Sequence, residues 1–441
     1  MKSDEKLVVL VLEGVSNHLL DSWCQKGLLP NISALRSKQG GFLETLPVPY
    51  EASALQTAFT GYAPGEHGVF SYWKVHNPDY VPQIWGSNEL HKPYIWQRDE
   101  FRDKKFAVIN IFGTHPPYSI NGSMITYLFK QSLHACHPKN LLKDLANEGF
   151  GYGQDVSMFY RGQPRDEFLR GLLQVESCRV RIAEKLLEET DILIANLTVV
   201  DRVSHFYWQE IEEGSPIALE NSALLKSYQM LDKSVGEFME LLGENSNLLV
   251  FSDIGFGPLR EFVSINDLLK QGGFLVRTAE NQVDWNKSKA FETVQGSHGV
   301  DIHLKGRYSN GTVEKGDYEK MCREVAEFLK GLINPKTGYP YFSDVIPSEK
   351  LYPGEHNFEA PDLIVCPADE RYMPLGDDYW ARTVHREYQS GWHRRECFWT
   401  GSGPAFQGIK RNGVIADIAP TIFRLSGRSI PKEFNGTSLI G

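Results

Sequence analysis

Residues 248–258 read LLVFSDIGFGP. Four apolar residues lead into Ser252 and Asp253, then Ile254, then a turn of two glycines and a proline. The first half has the continuous apolar character of a strand covered on both faces. It ends on a carboxylate, and in open α/β sheets ligands collect at the carboxyl ends of strands. A bulky apolar residue directly after that carboxylate, where a polar partner is expected, raises the question of what chemistry the site retains.

Four more runs, at 7–12, 106–111, 192–199 and 361–366, share this Val/Ile/Leu-rich pattern. Helical patterns at 31–38, 52–60, 166–189, 220–242 and 315–332 lie between and around them. Strands alternating with helices predict a doubly wound, mostly parallel central sheet with helices on both faces. The chain has 441 residues. That length suits one large α/β domain with inserted segments, or two domains.

Composition narrows the function. With 41% hydrophobic and 23% charged residues the chain reads as an ordinary globular protein. A net charge of −10 argues against a nucleic-acid partner, which needs a basic face. A small anionic substrate stays compatible, because a bound metal supplies positive charge locally. No apolar run is long enough for a membrane span, and the run at 7–12 is too short for a secretion signal. Cys24, Cys136, Cys178, Cys322, Cys366 and Cys397 form no C-x-x-C pair. Scattered cysteines suit reduced thiols in a cytoplasm. HACH at 134–137 reads as incidental rather than as a metal motif.

The strand ends carry the chemistry. The run at 7–12 ends in Glu13-Gly14, the run at 192–199 leads to Asp201 with His205 one helical turn on, and the run at 247–251 ends in Asp253. His393 stands in SGWHRRE near the C-terminus. An acid at one strand end is often only a helix N-cap. Four segments bringing oxygen and nitrogen ligands to one sheet edge favour a metal site.

In order along the chain stand LVVLVLEG, LPNISAL, TGYAPGEHGV, THPPYSINGSMI, DRVSHFYW, FSDIGFGP, GVDIHLKGRYSNGTV, APDLIV, SGWHR and DIAPTIFRLSG. On these motifs the chain resembles the type I phosphodiesterase/nucleotide pyrophosphatase branch of the alkaline phosphatase superfamily, nearly end to end. The resemblance implies two metal ions flanking a Thr or Ser nucleophile. One metal's ligands carry over to Asp201, His205 and His393, all of the expected type. The other's carry over to Glu13, position 51, Asp253 and position 254. Here the chain departs from the family: Glu13 stands for Asp, Glu51 for the nucleophile and Ile254 for His. Isoleucine cannot ligate a metal.

Two His and one Asp suit Zn²⁺ with open positions, and the same set also suits Fe²⁺. Glu13, Glu51 and Asp253 form an all-oxygen set that suits a second ion, Mg²⁺, Mn²⁺ or Zn²⁺. Alternatively the second metal is lost and Glu51 serves as general base or meets a basic group of the substrate. Tyr50 is an alternative nucleophile. Three readings compete: a metal-dependent enzyme on small phosphate, sulfate or phosphonate-like esters or anhydrides, working without the Thr/Ser intermediate; a group transferase or lyase of a biosynthetic pathway on the inherited metal; and an inactive metal- or ligand-binding protein. Tyr50, Thr114, His115, Asn121 and Arg394 are the expected substrate-binding residues. Arg202 suits an anion contact less well than a surface salt bridge. The resemblance also implies one domain over 1–441 with cap excursions at 115–180 and 265–385. The chain is expected as a monomer or homodimer.

Overall fold

The computed structural model describes residues 5–127, 132–153, 160, 162–375, 388–406 and 408–441. Two compact units emerge. The first comprises residues 1–62, 86–258 and 388–441; the second comprises 63–85 and 259–387.

The first unit is built on a nine-stranded sheet. Its middle is five parallel strands, in spatial order Asn247–Phe251, Leu7–Leu12, Ile192–Leu197, Phe106–Ile109 and Gly122–Ile125. Glu396–Ser402 joins antiparallel beside Asn247–Phe251, and Cys136–His137 closes the opposite edge. Leu7–Leu12 is central, flanked by Ile192 through Leu197 on one side and Asn247 through Phe251 on the other. Every residue of Leu7–Leu12 is buried, which explains a strand without polar alternation. Helices Arg165–Leu187, Val199–Tyr207 and Ala223–Leu241 pack their apolar residues into one core with this sheet.

The second unit has its own core around Ile265, Leu269, Val300, Val325, Leu329 and Val365. The run expected at 361–366 is the strand Leu363–Pro367. It belongs not to the parallel sheet but to a four-stranded antiparallel sheet, between Gly299–Ile302 and Phe342–Pro347. A short apolar strand buried in either kind of sheet has the same sequence pattern, so its direction is not readable from it.

The expected excursion at 115–180 contributes the strands Gly122–Ile125 and Cys136–His137 and much of the helix Arg165–Leu187 to the first unit. The expected excursion at 265–385 falls within the span of the second. Residues 128–131, 154–159, 161 and 376–385 of these excursions lie outside the described residues. Cys136 turns its thiol toward the carbonyls of Leu133, Pro138 and Lys139, as a packed residue and not a ligand. Among the described residues no helix is long and apolar enough to cross a membrane.

Candidate metal centre

The three central parallel strands deliver acids to one edge. Leu7–Leu12 turns at Glu13-Gly14, where Gly14 has φ +77°. A Cβ on Gly14 would stand 2.7 Å from Cα and Cβ of Asp201, so only glycine lets this turn lie against the next helix. The Asp201 amide donates to the Glu13 carbonyl at 3.1 Å, locking the two strand ends together. The junction into the helix Val199–Tyr207 is held from below by a buried pair. Arg179 donates to Glu176 at 2.7 Å and to Thr198 Oγ1 at 2.9 Å, and the Thr198 amide donates to Glu176 at 3.1 Å.

Asp201 and His205 are four apart on this helix, hence on one face. His393 arrives on a separate ribbon, Gly391–Arg394 paired antiparallel with Gly255–Pro258. That ribbon begins two residues after Asp253, so the strand-end turn and the last imidazole are parts of one device. Gly391 lies so close to the Ser204 carbonyl that a Cβ would collide with it, which seats His393 beside His205. Arg394 secures the ribbon: its guanidinium donates to the carbonyls of Trp392, His393 and Pro258.

The donor atoms of Asp201, His205 and His393 all lie within 4.8 Å of one another. His393 Nε2 is 3.3 Å from Asp201 Oδ1 and 3.3 Å from His205 Nε2, and His205 Nε2 is 3.6 Å from Asp201 Oδ2. Trp392 and Phe256 wall the His205 ring, with centroids 4.8 and 4.9 Å away. His393 Nδ1 faces the Pro49 carbonyl at 3.2 Å and Glu51 Oε2 at 3.6 Å, leaving Nε2 for the cluster. Burial pushes the His205 imidazole down to about 3, so it is neutral at neutral pH. Burial also works against charge on Asp201, yet Arg202, His205 and His393 hold its carboxyl below the ordinary range. A buried carboxylate and two imidazole nitrogens converging on one point fit a divalent ion.

The second expected site is different. Glu13, Glu51 and Asp253 are all buried. Among the described residues they form no set of donor atoms converging as the Asp201 set does. Glu13 is claimed instead by protein groups: Arg202 Nη1 lies 3.0 Å from Oε1, and Asn196 Nδ2 donates to Oε2. Arg202 also pairs with Asp201, and its Nη2 donates to the Tyr127 hydroxyl at 3.2 Å. At 5% exposure Arg202 is no surface salt bridge; the sequence expectation undervalued it. Tyr127 was missed as well: it follows by two residues the strand Gly122–Ile125, whose short, half-buried run lacks the continuous apolar signal that marked the other strand ends. Ile254 is fully buried beside Asp253.

Asp253 is fully buried, and among the described residues neither of its carboxyl oxygens has a well-aligned hydrogen-bond partner. Burial, reinforced by Glu51 and Asp201, pushes its carboxyl well above the ordinary aspartate range. The unfolded chain releases this proton at the ordinary value; the folded chain keeps it to higher pH. Asp253 therefore supports stability at low pH and costs it as pH rises through the raised value. Asparagine has no proton to lose. In chelator, Asp253→Asn is expected to raise the melting temperature relative to wild type more at pH 8 than at pH 5. Equal shifts at both pH values in thermal scans would show that the Asp253 carboxyl is already ionised in the fold at pH 5 and is not raised.

The expected substrate residues separate. Glu51 opens the helix Glu51–Thr60 and Tyr50 caps it, with the Tyr50 ring 5.7 Å from that of His393. Burial raises the Tyr50 phenol well above its ordinary range, with Glu51 adding to the effect, which suits a neutral hydroxyl and not a nucleophile. Thr114 donates to the Ile111 carbonyl at 2.6 Å and accepts from the Tyr127 amide at 3.2 Å; it positions Tyr127. His115 is exposed at the same sheet edge, with Nδ1 3.3 Å from Thr126 Oγ1. Asn121 precedes a parallel strand and so sits at the amino edge, opposite the metal ligands. There it donates to the carbonyls of Arg102 and Lys104, a structural role in place of the expected substrate contact. Arg394, committed to carbonyls, likewise serves structure rather than substrate.

Structural comparison finds the same architecture in murine ectonucleotide pyrophosphatase/phosphodiesterase 5, with 12% identity, TM-score 0.58 and 98% of each chain covered. Phosphonoacetate hydrolase from Sinorhizobium meliloti, solved with phosphonoformate, is similar over 90% of each chain at 13% identity and TM-score 0.59. The alkaline phosphatase PafA is similar over 99% of each chain at 14% identity and TM-score 0.58. No curated protein matches the chain in sequence. The parallel sheet with helices on both faces is that of the alkaline phosphatase superfamily. Residues 7–394 match the family described as type I phosphodiesterase / nucleotide pyrophosphatase, and the chain belongs to it.

Proposed function

We propose that this chain is a metal-dependent phosphoryl-transfer hydrolase acting on a small anionic ester or anhydride of phosphate, or a phosphonate relative, with one metal and no Thr/Ser intermediate. The observation that carries this is the buried convergence of Asp201, His205 and His393 within 4.8 Å. Those three residues would hold the ion, Zn²⁺ by the chemistry of the donor set, with Fe²⁺ as the alternative. Such an ion supplies Lewis-acid polarisation of a phosphoryl oxygen and of a water.

The protein supplies the rest. Glu51, 3.6 Å from His393 Nδ1, takes a proton from the attacking water. The water oxygen bonds to phosphorus as the bond from phosphorus to the leaving oxygen of an ester or anhydride, or to the leaving carbon of a phosphonate such as phosphonoacetate, breaks, and the leaving group takes up a proton. The Trp392 and Phe256 rings shield the centre from bulk water. Family membership supports the substrate class. So do the named activities of the murine phosphodiesterase and of phosphonoacetate hydrolase, though their likeness to this chain is of fold.

The test is turnover of bis(p-nitrophenyl) phosphate, p-nitrophenyl phosphate and phosphonoacetate by zinc-loaded and chelated protein. Zinc-dependent release of product from any one is expected. Bound zinc with no turnover on the whole panel would favour the group-transfer or binding-protein reading.

A further inference from the structure

Glu13, Glu51, Asp201 and Asp253 bury four carboxyl groups in one region. They lie within electrostatic reach of one another, as the influence of Glu51, Asp201 and Asp253 on Glu13 indicates. Buried like charges are costly without compensating cations. Among the described residues two side chains each pair with two of these acids: the titratable His393, 3.3 Å from Asp201 and 3.6 Å from Glu51, and the permanently charged Arg202 guanidinium, 3.0 Å from Glu13 and bonded to Asp201. It is fixed on its far side by the Tyr127 hydroxyl at 3.2 Å. Arginine cannot lose its charge in a protein, so this cation does not vacate the pocket at any working pH.

A divalent ion seated on Glu13 would share that carboxylate with the guanidinium, and like charges so close repel strongly away from water. Both Glu13 oxygens are already engaged, one by Arg202 and one by Asn196. On the far side of the acids, Ile254 is fully buried beside Asp253 and offers no donor atom. Asp201 differs from Glu13 in this respect: Arg202 bonds its Oδ2, while its Oδ1, 3.3 Å from His393 Nε2, is left for the ion held with the two imidazoles.

We propose that Arg202 is a permanent internal cation that neutralises the Glu13 end of the pocket and excludes a second divalent ion, so that the centre takes a single metal ion per chain. The inference rests on the metal reading proposed above. Arg202 acts as a positioning residue: its Nη1 faces Asp201 and Glu13, its Nη2 donates to Tyr127, and it shapes the charge that metal and substrate meet.

The experiment is metal stoichiometry by elemental mass spectrometry. Full-length protein is stripped with chelator, reloaded with increasing Zn²⁺ or Mn²⁺ up to millimolar excess, and desalted. Wild type is expected to hold one ion per chain at every excess. Arg202→Lys is expected to hold one as well, since a cation remains. Arg202→Ala is expected to approach two, and Glu13→Gln combined with it to return to one. Two ions in wild type, or one ion in a folded Arg202→Ala under saturating metal, would overturn the proposal. Should Arg202→Ala not fold, the wild-type value at saturation decides between one and two. No ion in wild type is a different failure, which removes the metal reading and this inference with it.

Discussion

His393→Ala is expected to lose bound metal on desalting and to lower turnover by about a thousandfold or more, since metal polarisation is worth several kcal/mol and each ~1.4 kcal/mol is a decade in rate. His393 is the ligand contributed by neither the Asp201 helix nor the strand ends. It enters on the Gly391–Arg394 ribbon, and its Nε2 is the atom nearest both other ligands, 3.3 Å from each. Removing it leaves Asp201 and His205, one helical face with two donors, too few for a tight closed site. The ribbon should survive, because its pairing with Gly255–Pro258 is by backbone and Arg394 ties it to three carbonyls. Elemental analysis beside a melting curve separates the cases. Full metal occupancy in a folded His393→Ala would mean that the ion is held elsewhere. Lost occupancy with unchanged turnover would mean that the ion is not the catalyst.

Glu51→Gln is expected to cost roughly 10²–10⁴ in kcat with metal content unchanged, the usual worth of a positioned base. The side chain opens the helix Glu51–Thr60, buried, with Oε2 3.6 Å from His393 Nδ1. That placement also allows a competing role, orientation of the His393 ring through its outer nitrogen. The two roles have different signatures. An orienting carboxylate costs ~10–100-fold in metal affinity when removed. A base costs rate while affinity stays. The Pro49 carbonyl, at 3.2 Å from the same nitrogen, can hold the ring without Glu51, and this favours the rate effect. A Glu51→Gln enzyme with normal kcat and weakened zinc binding would reassign Glu51 to orientation.

Charge, not shape, separates the two halves of this centre. On the Asp201 side, a carboxylate kept ionised faces a His205 kept neutral, while burial at His393 is outweighed by Glu51 and Asp201, which hold its imidazole above its ordinary range, so metal binding there displaces a proton. On the Asp253 side, burial and the neighbouring Glu51 and Asp201 carboxyls raise the carboxyl. The pH dependence expected of Asp253→Asn and the stoichiometry expected of Arg202→Ala probe this asymmetry independently, one through stability and one through binding.

Four of the five parallel strands and the acids at the ends of three of them were readable along the chain, because a strand covered on both faces must be apolar throughout and must end where polarity returns; Gly122–Ile125, short and buried only in its second half, was not. The spacing of Asp201 and His205 was equally local, one turn of helix. Three-dimensional contact decided the remainder. That Leu363–Pro367 pairs antiparallel in a separate sheet depends on partners far away in sequence. That Asn121 lies at the wrong edge of the sheet follows from strand direction, which one strand's composition does not encode. Arg394 and Arg202 are the clearest pair: two arginines each next to a metal ligand in sequence, one spent on backbone carbonyls and the other buried against Glu13 and Asp201. A guanidinium on its long stem finds its partners only once the strands bring distant carbonyls and carboxylates within reach, so sequence placed the ligands of the first metal and tertiary packing determined what stands where a second would be.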